Sequence, residues 1–206
     1  MENLPSLKDL LGLCMIKVVM LILLTAVVGM LLAVPYVPSL LLIIAASAGI
    51  SLAAMSAAVF NHVVAEKIDT QMSRTDQRPL PQGKVTRDQA LIWGAFLGVV
   101  GIALLVVFVN LLTAVLTLLS LIGYAVFYTM YLKRATPQNI VIGGAAGAAP
   151  PVLGWTSIAG SNGLEYALLL FLIVFIWTPP HFWALAIHRS EAVSYTHLTL
   201  PTSDLV

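Results

Sequence analysis

The residues best suited to chemistry lie in one polar stretch, residues 61–79, which reads NHVVAEKIDTQMSRTDQRP. If the apolar run before it continues as a helix, Asn61, Ala65 and Asp69 share one face because they are four residues apart. Glu66 lies three residues before Asp69, so those two carboxylates also approach each other. Carboxylate and amide oxygens are hard ligands of the kind that Mg²⁺ takes alongside waters and substrate phosphates. The pattern predicts a magnesium site built from Asn61 and Asp69, with Glu66 as a third candidate.

Two arginines follow in the same stretch and would complete such a site. Arg74 and Arg78 carry planar guanidinium groups whose donors match phosphate oxygens. A metal ion held by acidic residues, with arginines beside it, would stabilise a diphosphate leaving group. The alternative is a solvated loop in which the basic residues only set membrane topology. Asn61 favours the diphosphate site, because a helix-end amide in register with Asp69 needs a partner.

The elements that must position these residues are membrane helices. The 206-residue sequence is 60% hydrophobic and 9% charged, whereas soluble domains carry about 25% charged residues. A helix needs about 20 apolar residues to cross the hydrocarbon layer, and six such runs can be read from the sequence. The sequence predicts an all-α, polytopic transmembrane bundle whose spans lie near residues 15–34, 39–64, 90–109, 111–132, 140–158 and 166–187.

The charge distribution predicts the orientation of this bundle. When the six spans are threaded alternately, all ten Lys and Arg residues fall on one side of the membrane. The positive-inside rule then places the N-terminus and residues 61–79 in the cytoplasm. The N-terminal residues MENLPSLKDLLGLCM include acidic side chains and no small-residue cleavage site, which argues against a signal or transit peptide. These features favour the bacterial inner membrane.

Net charge and cysteine content further restrict the kinds of partner and metal site that this protein could have. The net charge of +1 gives no reason to expect a nucleic-acid partner. The single cysteine, Cys14, excludes an internal disulfide and a metal site built from cysteines. Cys14 is predicted to be a small buried hydrophobic residue.

The polar stretch resembles the first aspartate-rich motif of the UbiA family of intramembrane prenyltransferases. The matching residues are Asn61, Asp69, Arg74, Thr75, Arg78 and Pro79. One position departs, because the family has an acidic residue where this chain has Ala65. Glu66 is adjacent, but it is about 140° from Asn61 on an ideal helix. Glu66 would therefore join the same metal ion only if the helix were distorted.

Two further segments, residues 131–155 and 177–191, resemble those members of the family that act on heme. They read YLKRATPQNIVIGGAAGAAPPVLGW and WTPPHFWALAIHRSE, and the combined resemblance covers most of residues 10–191. It implies transfer of a farnesyl group from farnesyl diphosphate to the vinyl group of heme B, giving heme O, with Mg²⁺ bridging the diphosphate. It also implies about nine membrane spans, about six of them within this sequence. Heme A synthase and terminal oxidase assembly are the implied protein partners.

Three more residues are candidate substrate contacts in that reaction. Lys133 and Arg134 emerge at the cytoplasmic end of the fourth span, within reach of a diphosphate or of heme propionates. Membrane topology and lipid-phosphate contact are the alternative for this pair. His181 follows two prolines inside an apolar run, where an ionisable side chain is costly and usually functional. It would contact the porphyrin or ligate its iron, or else bond to a carbonyl group freed by the prolines.

Other classes of function stay open. A prenyltransferase acting on a quinone or chlorin precursor would use the same motif. A transporter would use Asn61, Glu66 and Asp69 as an ion site, and a heme carrier would bind heme without transferring a farnesyl group. The sequence has no convincing internal repeat of the kind common in transporters. The charged residues of the polar stretch argue against a simple carrier.

The C-terminal residues differ in character from the rest. Residues 193–202, VSYTHLTLPT, are polar and Thr-rich, and they match the translation of a transposon adapter used in sequencing libraries. Residues 1–192 are therefore predicted to form an incomplete membrane domain, and residues 193–206 a non-native tail. The resemblance implies a second acidic motif after the sixth span, so residues 1–192 alone are expected to lack catalytic activity.

Overall fold

The computed structural model describes residues 5–69, 77–125 and 139–188. These residues form helices joined by short turns, and no strand occurs among them. A π-helical turn at residues 123–125 extends the fifth helix. The predicted all-α fold is confirmed, whereas the tail predicted at residues 193–206 lies outside the described residues and stays a prediction. The helices are α1 (Leu7–Gly12), α2 (Ile16–Leu32), α3 (Leu40–Asp69), α4 (Arg87–Phe108), α5 (Leu111–Ile122), α6 (Asn139–Ala148), α7 (Pro150–Ala159) and α8 (Leu164–His188).

Several of these helices are suited to crossing a membrane. Leu40–Glu66, Arg87–Phe108 and Leu164–Ala184 are long and apolar enough to span the bilayer. Two further apolar helices, Ile16–Leu32 and Leu111–Ala125, are shorter. The protein is thus a multi-pass membrane protein. The predicted spans near residues 15–34, 111–132 and 140–158 stay predictions.

The fifth predicted span, residues 140–158, is not one continuous helix. It consists of two ten-residue helices, α6 and α7, which are separated at Ala149. Pro150 and Pro151 cause the break, because proline has no backbone N–H to donate and is tolerated in the first turn of a helix.

α3 and α4 pack closely because small residues line their contact. A Cβ atom at Gly101 would lie 2.9 Å from the carbonyl oxygen of Gly49 on α3. Further along, the buried Ser56 hydroxyl donates a hydrogen bond of 2.7 Å to the carbonyl oxygen of Gly94. Close packing and interhelical hydrogen bonds of this kind drive helix association in a bilayer. The contact fixes the end of α3, which carries residues 61–69, beside the start of α4.

α2 and α7 are in direct backbone contact. A Cβ atom at Gly29 would overlap the carbonyl oxygen of Pro151, and one at Gly154 would overlap the carbonyl oxygen of Ala26. Side chains at these two positions are therefore excluded by backbone atoms, which have no alternative rotamer. The pair of glycines sets how closely α7 approaches α2.

Replacing Gly154 with alanine is expected to destabilise the folded protein. The new methyl group would push α2 away from α7, and overpacking of this kind costs about 1–3 kcal/mol. In a chain of this length, that cost lowers the melting temperature by about 2–4 °C per kcal/mol. Gly147→Ala is the matched control, because no atom of the described residues lies within 4 Å of a Cβ atom placed there.

The single cysteine provides the measurement for this pair of variants. Cys14 is fully buried, and burial raises the pKa of its thiol. The thiol therefore reacts slowly with alkylating reagents while the protein is folded. During a temperature ramp in detergent, Gly154→Ala should become alkylated at a lower temperature than the unsubstituted protein, whereas Gly147→Ala should not. Equal midpoints for the two variants would contradict the close contact of α2 with α7.

A polar cluster anchors the beginning of α5 to α7. The Asn110 side chain accepts a hydrogen bond of 2.8 Å from the Thr113 N–H and donates one of 2.9 Å to the Thr156 carbonyl oxygen. The buried Thr113 hydroxyl also donates to the Thr156 hydroxyl at 3.0 Å. These bonds hold α5 at one end, while Tyr124, in the π-helical turn at the other end, reaches α3.

The described part of the loop between α3 and α4, residues 77–86, packs on a buried hydrophobic cluster. Leu80 and Val85 of this loop are 4% and 2% exposed, and they belong to one cluster with side chains of α3, α4 and the segment before α2. The loop is thereby held against the end of α3, which places Arg78 close to that helix. The other buried residues of the cluster that contains Leu80 and Val85 are Leu13, Cys14, Val59, Val63, Ala90 and Leu97.

Candidate metal and diphosphate site

α3 continues without a break through the polar stretch as far as Asp69. No proline interrupts it, and Asn61, Ala65 and Asp69 therefore lie on one helix face, as the spacing predicts. Ala65 and Asp69 are each 5% exposed, and Asn61 is half-buried. A carboxylate that is buried to this extent needs a charged or hydrogen-bonding partner.

The Asp69 carboxylate has such a partner in Arg78. Arg78 Nη1 donates a hydrogen bond of 2.6 Å to Asp69 Oδ2. The exposed fraction of the side chain is 31% for Arg78 and 7% for Asp69. The guanidinium group therefore reaches from a partly solvated loop to a buried carboxylate, and a charge-assisted bond this short is a strong one. Arg74, the other predicted phosphate ligand, lies outside the described residues.

His62 lies near the same carboxylate and was not among the predicted site residues. Its Nδ1 is 3.9 Å from Asp69 Oδ2, and its side chain is 4% exposed. This distance is too long for a direct hydrogen bond. The seven-residue spacing between His62 and Asp69, close to two helical turns, is the sequence signal that could have identified this neighbour.

Asn61 contacts a second residue that the sequence did not single out, Tyr124. Asn61 Nδ2 donates to Tyr124 Oη at 3.4 Å. The Asn61 Oδ1 atom is buried and accepts no hydrogen bond from the described part of the chain. The available signal was a phenol hydroxyl inside an apolar run, since such a group needs a polar partner.

Glu66 is directed toward α4. Its carboxylate lies 3.8 Å from Arg87 Nη1, at the first residue of α4. α3 is helical throughout this region, so Glu66 stays about 140° from Asn61 around the helix. The role of Glu66 as a third metal ligand remains only a prediction. Within residues 5–69, 77–125 and 139–188, no three His, Cys, Asp or Glu side chains converge.

The residues on the shared face fit a magnesium ion in chemical type. Mg²⁺ is commonly held by one or two carboxylates, with waters and substrate phosphates completing the shell. Asp69 supplies one carboxylate, and the buried Asn61 Oδ1 is an oxygen for which the described residues offer no donor. Arg78 supplies a positive charge beside them. The arrangement is suited to binding a diphosphate together with a divalent cation.

Comparison with known proteins decides the family. The family model described as the UbiA prenyltransferase family matches residues 22–194. The chain belongs to the UbiA prenyltransferase family. A solved structure described as digeranylgeranylglyceryl phosphate synthase in membranes has the same fold, with a TM-score of 0.72 at 22% identity, and the alignment covers 82% of this chain and 58% of that one.

Curated relatives within the UbiA family are much closer in sequence. The chain is 73% identical over 189 residues to a protein named protoheme IX farnesyltransferase from Ruthia magnifica subsp. Calyptogena magnifica. It is 56% identical over 196 residues to a protein of the same name from Methylococcus capsulatus. The alignments cover 91% and 95% of this chain, which spans 63% and 65% of the length of these relatives.

Of the three remaining predicted site residues, one lies on α8 and two lie outside the described residues. His181 lies on α8, which continues as a helix through Pro179 and Pro180. Its ring is exposed and stacks on Trp177, with ring centroids 4.3 Å apart and planes at 17°. The His181 ring therefore forms part of an exposed aromatic surface. The other two predicted contacts, Lys133 and Arg134, fall in the segment that is not described.

Proposed function

We propose that this protein transfers a farnesyl group from farnesyl diphosphate to the vinyl group of heme B, giving heme O. The observation that carries the proposal is the 73% identity to a UbiA family member named protoheme IX farnesyltransferase. The name shared by the curated relatives favours a heme acceptor over a quinone or chlorin precursor. It also favours an enzyme over a transporter or a heme carrier.

Asn61 and Asp69 are the residues that would hold Mg²⁺ in this reaction, and because they lie about 12 Å apart along α3 they would do so through separate ions, or through waters and the diphosphate, and not as direct ligands of one ion. When bound, the ion would neutralise charge that develops on the leaving diphosphate. The support from the structure is the shared face of α3 and the buried Asn61 Oδ1 atom, which has no donor among the described residues. Glu66 is the weakest candidate of the three, because its carboxylate lies beside Arg87.

Arg78 would bind the phosphate oxygens directly. A guanidinium group has five N–H donors, of which the hydrogen bond to Asp69 Oδ2 uses one. Asp69 therefore holds the guanidinium in place while other donors remain for the diphosphate. Positioned charge of this kind is effective because it requires no reorganisation when the allylic carbon–oxygen bond breaks. Arg74 is proposed as a second phosphate ligand.

Apolar substrates would approach the site along the exposed helix faces. Exposed hydrophobic side chains cover much of the helix surface; Ile92 and Val99 on α4, for example, are 71% and 70% exposed. Farnesyl diphosphate and heme are both largely apolar, so both would reach the site from the bilayer. An allylic cation also needs surroundings without free water, until water is added to give the hydroxyl group of heme O.

The heme contacts and the cellular setting complete the proposal. Lys133 and Arg134 would bind heme propionates or the diphosphate, and His181 would contact the porphyrin or its iron. The exposed stack of His181 on Trp177 supports a contact with a planar ring. We place the protein in the bacterial inner membrane with a cytoplasmic N-terminus, where it would supply heme to heme A synthase or terminal oxidase assembly.

The proposal is tested by the choice of prenyl acceptor. Membranes containing the intact protein are supplied with Mg²⁺ and farnesyl diphosphate, together with either heme B or 4-hydroxybenzoate, and product masses are measured. Heme O is expected with heme B, and no prenylated product is expected with 4-hydroxybenzoate. A prenylated benzoate without heme O would overturn the heme acceptor. Tight heme binding with no response to farnesyl diphosphate and Mg²⁺ would instead indicate a carrier.

A further inference from the structure

Among the described residues, the Asn61 amide is held at only one end. Its Nδ2 atom donates to Tyr124 Oη at 3.4 Å, which is a long hydrogen bond. Its Oδ1 atom is buried and accepts no hydrogen bond within the described ranges. An acceptor that is buried without a donor costs free energy, so its orientation requires an explanation. A cation beside the Asn61 Oδ1 atom provides one.

The two ends of an amide side chain have nearly the same shape but opposite chemistry. The carbonyl end accepts hydrogen bonds and binds cations, whereas the NH₂ end donates and would repel a cation. A metal site that uses an asparagine therefore needs something to hold the NH₂ end away from the ion. The Tyr124 hydroxyl oxygen lies beside that end and can accept its hydrogen bond.

We infer that Tyr124 is a positioning residue, whose hydroxyl group holds the Asn61 NH₂ group so that Oδ1 faces the divalent cation. The inference rests on the proposed function, because that function supplies the cation. Tyr124 is not itself a ligand in this arrangement. It acts through Asn61, in the way that partners of metal ligands fix the orientation of those ligands.

The local backbone places Tyr124 where it can act. α5 ends at Ile122, and the chain continues as a π-helical turn through residues 123–125. A π-helical turn rotates its side chains relative to an α-helix, and such turns occur frequently at functional sites. The far end of α5 is fixed to α7 through Asn110. Tyr124 is thus carried on an anchored helix and placed against α3 by its last turn.

The test measures binding of a divalent cation, without turnover. The intact protein in detergent is titrated with Mn²⁺ in the presence of inorganic diphosphate, and bound Mn²⁺ is measured by electron paramagnetic resonance. Tyr124→Phe removes only the hydroxyl group, and the Kd for Mn²⁺ is expected to rise about tenfold, the lower end of the range for partners of metal ligands. Tyr166→Phe is the matched control and should bind normally, since that ring packs on Trp155 at a centroid distance of 6.1 Å.

A double-mutant comparison separates positioning from a general structural effect. If Tyr124 acts through Asn61, adding Tyr124→Phe to Asn61→Ala should weaken Mn²⁺ binding no further. Protection of Cys14 from alkylation monitors folding in every variant. An additional loss in the double variant, or weak binding together with loss of Cys14 protection, would make the role of Tyr124 structural and overturn the inference.

The remaining outcomes distinguish this inference from the proposed function. Normal Mn²⁺ binding by Tyr124→Phe would overturn the positioning role and leave the metal site of the proposed function intact. If the unsubstituted intact protein bound no Mn²⁺ in the presence of diphosphate, the metal site and the positioning role would both be refuted. Heme O formation by the intact protein in the acceptor assay would then show a transfer reaction that does not use this metal site.

Discussion

Replacing Asp69 with asparagine in the intact protein is expected to lower heme O formation by about 100-fold or more, the loss typical when one group that stabilises developing charge is removed. Asparagine keeps the size of the side chain and one of its oxygens, but it has no negative charge. The variant would lose both the carboxylate of the proposed metal site and the partner that holds Arg78 at 2.6 Å. Extracted hemes are measured by mass spectrometry, with the amount of protein in the membrane determined in parallel.

Asp88→Asn is the matched control for this prediction. Asp88 is exposed in the first turn of α4, so the substitution removes the same charge at the same end of the bundle without altering the α3 face. Heme O formation should stay close to that of the unsubstituted protein. Equal losses in the two variants would point to a general charge effect, and an undiminished Asp69→Asn variant would exclude Asp69 from the site.

Arg78→Gln is expected to lower both stability and activity. The substitution removes the cation that is hydrogen-bonded to the buried Asp69 carboxylate. Loss of one partner from a buried ion pair costs about 3–5 kcal/mol, and the partial exposure of Arg78 places this case at the lower end of that range. Heme O formation should also fall, because the glutamine has no charge to offer the diphosphate. Stability is followed by Cys14 alkylation and activity by heme extraction.

The double variant Asp69→Asn/Arg78→Gln separates these two effects. It should recover much of the stability lost in Arg78→Gln, because no unpaired charge remains buried. It should recover none of the activity, because it has neither the Asp69 carboxylate for the metal ion nor the Arg78 guanidinium group for the diphosphate. Arg87→Gln serves as the control, since Arg87 and Glu66 are 3.8 Å apart and 57% and 30% exposed, and exposed pairs contribute about 0–1 kcal/mol. A double variant that stays as unstable as Arg78→Gln would assign the loss to packing of the arginine stem.

The helix face that carries Asn61 and Asp69 could be predicted from the sequence because it depends on local periodicity alone. Four-residue spacing places side chains on one face wherever the backbone is helical, and α3 is helical as far as Asp69. The break in the fifth span has an equally local cause in Pro150 and Pro151. Predictions of this kind need no knowledge of which helices become neighbours.

Contacts between distant segments could not be predicted in the same way. Tyr124 is more than sixty residues from Asn61 in sequence, and the π-helical turn that orients it leaves no clear pattern in the residue types. Glu66 pairs with Arg87 because α4 begins beside the end of α3. The backbone contact of Gly154 with Ala26 depends on the packing of α7 against α2. Each of these features follows from tertiary packing, which a single sequence does not reveal.

The glycine contact between α2 and α7 also sets an order of events during biosynthesis. α2 is synthesised long before α7, because most of the described chain separates the two helices. Until α7 arrives, the face of α2 that carries Gly29 can meet only lipid or other parts of the chain. Docking of α7 is therefore a late step in assembly. Side chains added at Gly29 or Gly154 should first reduce the amount of protein that survives cellular quality control, before any effect on catalysis is seen.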